Sequence, residues 1–227
     1  LALRPLTGRD GRHDFPHFWL YPALATPGVA LAQRLGVHPN WGFVMANLAL
    51  LLTALWVVSG RLDWASTMLL FGGPVVWWID KAHTEVFTFS LLSIGLATHP
   101  ERPWWAMVAF AVASAQNLGV AFGIPLVVVA AIVGRPQVLG DHRLWIGGAL
   151  TAAIVLLHPV YYLVRLGVLE PVTLVGGANF HLPRLGEMAA FVLDPNIGIL
   201  PNFPALGPVI LAAVVLVARR ASRALTD

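Results

Sequence analysis

Apolar residues run in long stretches along this chain, separated by short polar breaks. Asn40–Ser59 (NWGFVMANLALLLTALWVVS) is the cleanest of them, with Trp41 and Trp56 near its ends, where aromatic side chains gather at a membrane–water boundary. A helix needs ~20 mostly apolar residues to cross ~30 Å of hydrocarbon. Residues 60–63 (GRLD) read as a tight turn, 64–79 as a second span ending in Trp77 and Trp78, and 86–98 as a third. Residues 99–103 (HPERP) turn again. The stretches 104–114 and 120–134 flank the polar pair Gln116 and Asn117; together they are too long for one crossing and read as two short spans. A loop at 135–143 precedes a long span over 144–169, which contains His158 and Pro159. The last span, 205–217, is followed by Arg219, Arg220 and Arg223. Upstream, 1–16 is a polar lead-in. Residues 17–36 are apolar but broken by Pro22 and Pro27, as in a helix lying at the interface or a short kinked one.

The pattern predicts an all-α fold, a polytopic transmembrane helical bundle of about seven spans. An N-terminal interfacial segment lies on its outer face, and a long outer loop precedes the last span. One membrane domain over 1–227 is expected: 1–38 outer-face loop and interfacial helix, 39–169 bundle, 170–204 outer loop, 205–227 last span and cytoplasmic tail. Composition points the same way. Hydrophobic residues make up 58% of the 227 and charged residues only 11%, against about a quarter charged in a soluble domain. Mean hydropathy is +0.75. Too few charges are present to cover a water-facing surface, so the surface goes into lipid. With no cysteine, a disulfide framework and a thiolate metal site are excluded. The formal charge of +3 comes from few titrating groups and forms no basic stripe, so no nucleic-acid partner is expected. The chain opens at Leu1 without the apolar core of a signal peptide and reads as a fragment truncated at its N-terminus.

Lys and Arg collect on the cytoplasmic side of short loops. The arginines after the last span place the C-terminus inside, and counting back puts 135–143, 99–103 and 60–63 inside as well. Those turns carry Arg61, Arg102, Arg135 and Arg143. Four polar regions then share the outer face: 1–38, 80–85, Gln116 with Asn117, and 165–204. A site at the outer membrane–water boundary is expected.

The strongest candidate chemistry is DKAHTE, residues 80–85, between two apolar segments, where ionisable groups are expensive and tend to mark function. On a helix Lys81 and Glu85 could pair, and Asp80 would share a face with His83 or Thr84. A carboxylate near a histidine suits a general base, and Asp80, His83 and Glu85 could hold a divalent metal. The bland alternative is a solvated turn whose charges pair with one another. A second group, Asp10, His13, Asp14 and His17, could bind a metal or a polar substrate group, or be an ordinary polar loop. In 170–204, Arg184, together with Arg165, could clamp a phosphate. Asp194, Pro195 and Asn196 suit a substrate contact or simple turn chemistry. Gln116 and Asn117 need partners for their amides, which a helix–helix hydrogen bond supplies as readily as a ligand. His158 before Pro159 reads as a kink with a satisfied histidine. The nine tryptophans read as interface anchors. No Ser–His–Asp set, phosphate-binding glycine loop or dinucleotide fingerprint is found.

At these residues the chain resembles bacterial integral-membrane glycosyltransferases of the GT-C fold. GRDGRHDFPHFWLYPALATPGVALAQRLG, from Gly8, is similar to the end of their first outer loop and the approach to the next helix. FVLDPNIGILPNFPALGPVILA, from Phe191, is similar to their late outer loop, and WWIDKAHTEVFTFSLL, from Trp77, to the outer-face junction between the two. The resemblance covers most of the chain through loose patterns. It implies transfer of a sugar from a polyprenyl-phosphate carrier to a glycan, lipid or protein acceptor on the non-cytoplasmic face of the bacterial inner membrane, in some members with Mg or Mn. The family's catalytic Asp follows its first transmembrane helix; Leu1 lies downstream of that point, and Asp10 and Asp14 lie near the loop's end, so the chain lacks a match to it. The expected roles are acid/base or metal chemistry for Asp80, His83 and Glu85, and phosphate binding for Lys81, Arg165 and Arg184. His17, Gln116 and Asn117 would hold sugar or acceptor. A transporter or flippase for a lipid-linked or polar solute is the rival, since Pro- and Gly-broken spans with buried polar groups suit that too; no inverted repeat is found.

Overall fold

Helix dominates, as the long apolar runs require. The structure is a computed structural model and describes residues 6–14, 18–174, 184–194 and 215. Contacts divide the chain into two compact units, Leu1–Gly177 and Ala178–Asp227. The first opens with a small antiparallel hairpin, β1 (Leu6–Thr7) and β2 (His13–Asp14), in which Leu6 pairs with Asp14 and Thr7 with His13. Seven helices follow: α1 (Leu20–Arg34), α2 (Asn40–Ser59), α3 (Trp64–Phe71), α4 (Glu85–Thr98), α5 (Pro103–Gln116), α6 (Gly123–Gly134) and α7 (His142–Leu166). Short 3-10 turns occupy Pro74–Trp78, Leu118–Phe122, Pro136–Gly140 and Pro171–Thr173. The second unit contains α8 (Leu185–Leu193). The expected last span, 205–217, lies outside the described residues apart from Val215.

Local chemistry explains the boundaries. The Asp63 side chain accepts from Ser66 N at 3.0 Å, capping the first turn of α3. The helix stops at Gly72 and Gly73, poor helix formers, and Pro74 pushes Gly73 into an extended conformation. The continuous span expected over 64–79 is therefore two pieces. Asp141 caps α7 by accepting from Arg143 N at 2.9 Å. The left-handed Gly167 (φ 80°) closes it, a conformation glycine adopts without strain.

α5 is the innermost helix, with Ala106, Ala111, Ala113 and Ala115 fully buried. Its Met107 and Phe110 pack against Val127 and Ala131 of α6 and Leu144 of α7. Close approach replaces bulk elsewhere: a Cβ on Gly42 would lie 2.2 Å from the backbone N of Val29, so α1 and α2 meet backbone to backbone.

Two helices, α2 and α7, are long and apolar enough to cross a membrane by length and composition. Only 22% of each apolar window is buried. Their surface therefore faces outward, the reverse of a core helix in a water-soluble protein.

Polar groups of the first unit sort to two ends. At one, Asn40 Nδ2 donates to Asp80 O at 2.9 Å, Tyr21 N donates to Gln116 Oε1 at 3.3 Å, and Arg9 N donates to Arg165 O at 2.8 Å. At the other, Arg61 grips both carboxylate oxygens of Glu101, and His99 Nε2 lies 3.1 Å from Val127 O. The chain shuttles between them, so that 6–14, 18–38, 80–85, Gln116 and Arg165 collect at one end, and the turns at 60–63, 99–103 and 135–143 at the other.

Candidate functional site

Residues 80–85 do not form the helical turn on which pairing of Lys81 with Glu85 depends. They lie in a turn between the Pro74–Trp78 segment and α4, whose first residue is Glu85. The charges pair differently as a result. Lys81 Nζ donates to Asp80 Oδ1 at 3.0 Å and to Trp77 O at 2.9 Å, with its ammonium 4.4 Å from the Trp77 ring centre. The Lys81 ammonium holds the Asp80 carboxyl below the usual carboxylate range. His83 Nδ1 lies 3.5 Å from Glu85 Oε2, and its ring stands 5.1 Å from that of Trp78. Both side chains are exposed, so the pair is open to a ligand.

Two residues that sequence reasoning missed hold this turn in place. Asn47, fully buried in α2, donates through Nδ2 to the carbonyls of Trp78, Ile79 and Lys81 at 3.3, 3.0 and 3.0 Å. Its Oδ1 accepts from the Tyr21 hydroxyl at 2.7 Å. Burial pushes the Tyr21 phenol up to about 12, so it remains a donor. An amide inside an apolar helix was the available signal.

A second cluster forms where the hairpin docks on the end of α7. Arg165 pairs with Asp10 through Nη1 and lies 3.3 Å from Asp14 Oδ2 through Nε. The Tyr161 hydroxyl donates to the same Asp14 oxygen at 2.9 Å. Gly167 makes room: a Cβ there would sit 2.3 Å from the Arg9 guanidinium. The Arg12 backbone N–H, and then Arg165, hold the Asp10 carboxyl low. Asp10 and Asp14 thus form a built cluster rather than an ordinary polar loop, and Arg165, expected on a phosphate, is engaged by two carboxylates.

Behind this clasp His158 is buried. Its Nδ1 lies 2.9 Å from Ala115 O, as expected of a satisfied histidine, and its ring stacks on Phe18 at 5.3 Å. Nε2 is 3.3 Å from Glu170 Oε2, within ion-pair range but off the line of a hydrogen bond. Gln116 accepts from Tyr21 N, while among the described residues its buried Nε2 has no partner. Asn117 is the exposed C-cap of α5. Tyr21 therefore touches Asn47 with its hydroxyl and Gln116 with its backbone N–H.

Compared with known protein families, curated proteins and solved structures, the chain matches none.

The remaining candidates belong to the second unit or lie outside the described residues. Arg184 and Asp194 flank α8 in the second unit, where Arg184 N donates to Glu187 Oε2 at 2.9 Å. His17 and Asn196 lie outside the described residues. Among the described residues no three His, Asp or Glu side chains converge as a metal centre requires. Asp80 turns to Lys81, and Asp10 and Asp14 are held by Arg165. These sets as arranged do not fit Mg or Mn.

Proposed function

We propose that this chain is the core of a membrane glycosyltransferase of the GT-C kind. It would move a sugar from a polyprenyl-phosphate carrier to an acceptor hydroxyl at the bundle end that carries residues 80–85. The reading includes a bundle of about seven spans in the bacterial inner membrane, the shorter helices crossing beside α2 and α7. The C-terminus would be cytoplasmic. One observation carries it beyond the resemblance at Gly8, Trp77 and Phe191: an exposed His83–Glu85 pair stands beside the Asp80–Lys81 pair at one end of an apolar bundle.

In this mechanism His83 takes the acceptor's hydroxyl proton, and Glu85 stabilises the resulting imidazolium. The acceptor oxygen bonds to the sugar's anomeric carbon as the bond from that carbon to the phosphate oxygen breaks. The polyprenyl phosphate leaves as an anion, which Lys81 stabilises from its perch on Asp80 and Trp77. Tyr21 and Asn47 fix the turn. The Asp10–Arg165–Asp14 clasp holds the hairpin at the same end of the bundle.

The test is turnover. Purified protein in nanodiscs is offered a panel of radiolabelled polyprenyl-phosphate sugars. Transfer or release from one of them, lost by at least a hundredfold (about 2.7 kcal/mol) in His83→Ala/Glu85→Ala with membrane expression retained, supports the assignment. Full activity in the double variant removes this cluster from the site. Saturable carrier binding without turnover would favour the flippase.

A further inference from the structure

The buried His158–Glu170 pair takes no part in the proposed transfer chemistry. His158 lies about two helical turns before Arg165 on α7, on the order of 10 Å further into the bundle. Its side chain is 4% exposed, and that of Glu170 is 13% exposed. Ionisable groups at such depth are expensive and tend to mark function. The contacts fix what the pair can do. The Ala115 carbonyl, 2.9 Å from Nδ1, can only accept, so Nδ1 carries a proton. In a neutral imidazole Nε2 is then a bare lone pair, 3.3 Å from Glu170 Oε2. Glu170 Oε1 accepts from Val172 N at 3.3 Å, and the Thr173 hydroxyl donates to Glu170 O at 2.6 Å. The residue that meets His158 therefore also closes the Pro171–Thr173 turn.

A lone pair set against a buried carboxylate is repulsive, and it leaves a negative charge unmatched at low dielectric. One more proton removes both penalties. On Nε2 it makes an imidazolium–carboxylate pair, and on Oε2 a neutral pair; neither carries net charge. The surroundings do not replace that proton. Phe18 stacks on the imidazole at 5.3 Å, Tyr162 stands edge-on at 5.0 Å, and α5 presents the Ala115 carbonyl. In the neighbouring clasp Arg165 is taken up by Asp10 and Asp14, and Asp14 also accepts from Tyr161. Arg12 lies beside Asp10, and the Arg9 guanidinium lies against Gly167. Among the described residues no Lys or Arg pairs with Glu170. We infer that His158 and Glu170 bind one shared proton, and that this proton fastens the Pro171–Thr173 turn to α7. Its loss sets lone pair against carboxylate and releases the turn, with the left-handed Gly167 as the hinge. The pair is a proton-operated latch, and it is independent of the glycosyl-transfer reading.

Hydrogen exchange of the Val172 and Thr173 amides tests the latch, measured on the full chain in nanodiscs and corrected for the intrinsic pH dependence of exchange. Wild-type protection should fall about tenfold as the pH is raised and the proton leaves, the range of one charge-assisted hydrogen bond. Glu170→Gln keeps an acceptor for Val172 N and offers an amide N–H to the bare Nε2, so its protection should hold at every pH. A turn held for structural reasons alone would show no pH profile and no difference between the two proteins. A second measurement guards against a folding defect in the variant. Below the pH at which protection falls, isotope-edited infrared and nitrogen-15 spectra of the wild type should show a doubly protonated His158 or a protonated Glu170 carboxyl. A His158 protonated on Nδ1 alone beside an ionised Glu170, flat protection in the wild type, or the same pH profile in Glu170→Gln overturns the latch.

Discussion

Replacing Asn47 by leucine keeps the number of side-chain heavy atoms and removes four hydrogen bonds at once. The Tyr21 hydroxyl, on a side chain 1% exposed, loses the acceptor at 2.7 Å. Stranding such a buried donor costs about 1–3 kcal/mol. The carbonyls of Trp78, Ile79 and Lys81 lose their shared donor. These are only partly buried, so water replaces part of what is lost, and each contributes about 0.5–1 kcal/mol. Burying leucine where an amide stood returns about 1–2 kcal/mol. The balance is a destabilisation of about 2–4 kcal/mol, at the upper end for one substitution. Tyr21→Phe alone removes one bond and costs about 1 kcal/mol. In the double variant the two losses overlap, leaving a coupling energy of about 1 kcal/mol. Reversible unfolding in mixed micelles, followed by tryptophan fluorescence, reads all three, and hydrogen exchange of residues 78–84 localises the effect. A change below about 0.5 kcal/mol in Asn47→Leu, or strict additivity of the pair, would refute Asn47 as the anchor of this turn.

Two further outcomes follow from the geometry. Gly42→Ala places a methyl 2.2 Å from Val29 N, which forces α1 and α2 apart; a loss of about 1–3 kcal/mol in the same unfolding assay is expected, and a neutral result would mean that the helices do not touch there. Asp10 has a depressed pKa in the fold, so its stabilisation of the hairpin is fully present above the ordinary value of 3.8 and is lost only as the pH falls through the lower folded value. Exchange protection of the Arg9 and Arg12 amides should persist down to pH 3.8, and its loss well above that pH would contradict the clasp.

Much of the helical layout is legible in the chain. Asn40–Ser59 is predicted with the bounds of α2, because a single apolar run between Pro39 and Gly60 leaves no ambiguity. The break at Gln116 and Asn117 is also legible, and α5 ends there. The 64–79 stretch is less so, since hydropathy registers length and not the effect of Gly72, Gly73 and Pro74 on the backbone. Residues 80–85 announce themselves by charge, but their pairing depends on a turn that only the tertiary contact with Asn47 fixes. Tyr21 and Tyr161 were invisible as site residues because each acts across a long sequence separation. Tyr161 and Asp14 are 147 positions apart. No periodicity reports such a contact.

The chain has no cysteine, so a single introduced thiol reports its own position, and the accessibility of the two bundle ends tests the central claim most directly. Ala82→Cys marks the end that carries His83 and Glu85, and Gln137→Cys marks the other; both positions are exposed. In sealed right-side-out membrane vesicles, a membrane-impermeant maleimide should label Ala82→Cys and leave Gln137→Cys unlabelled until detergent is added. Equal labelling of both positions in intact vesicles would contradict a bundle that spans the membrane with its proposed transferase site on the outer face.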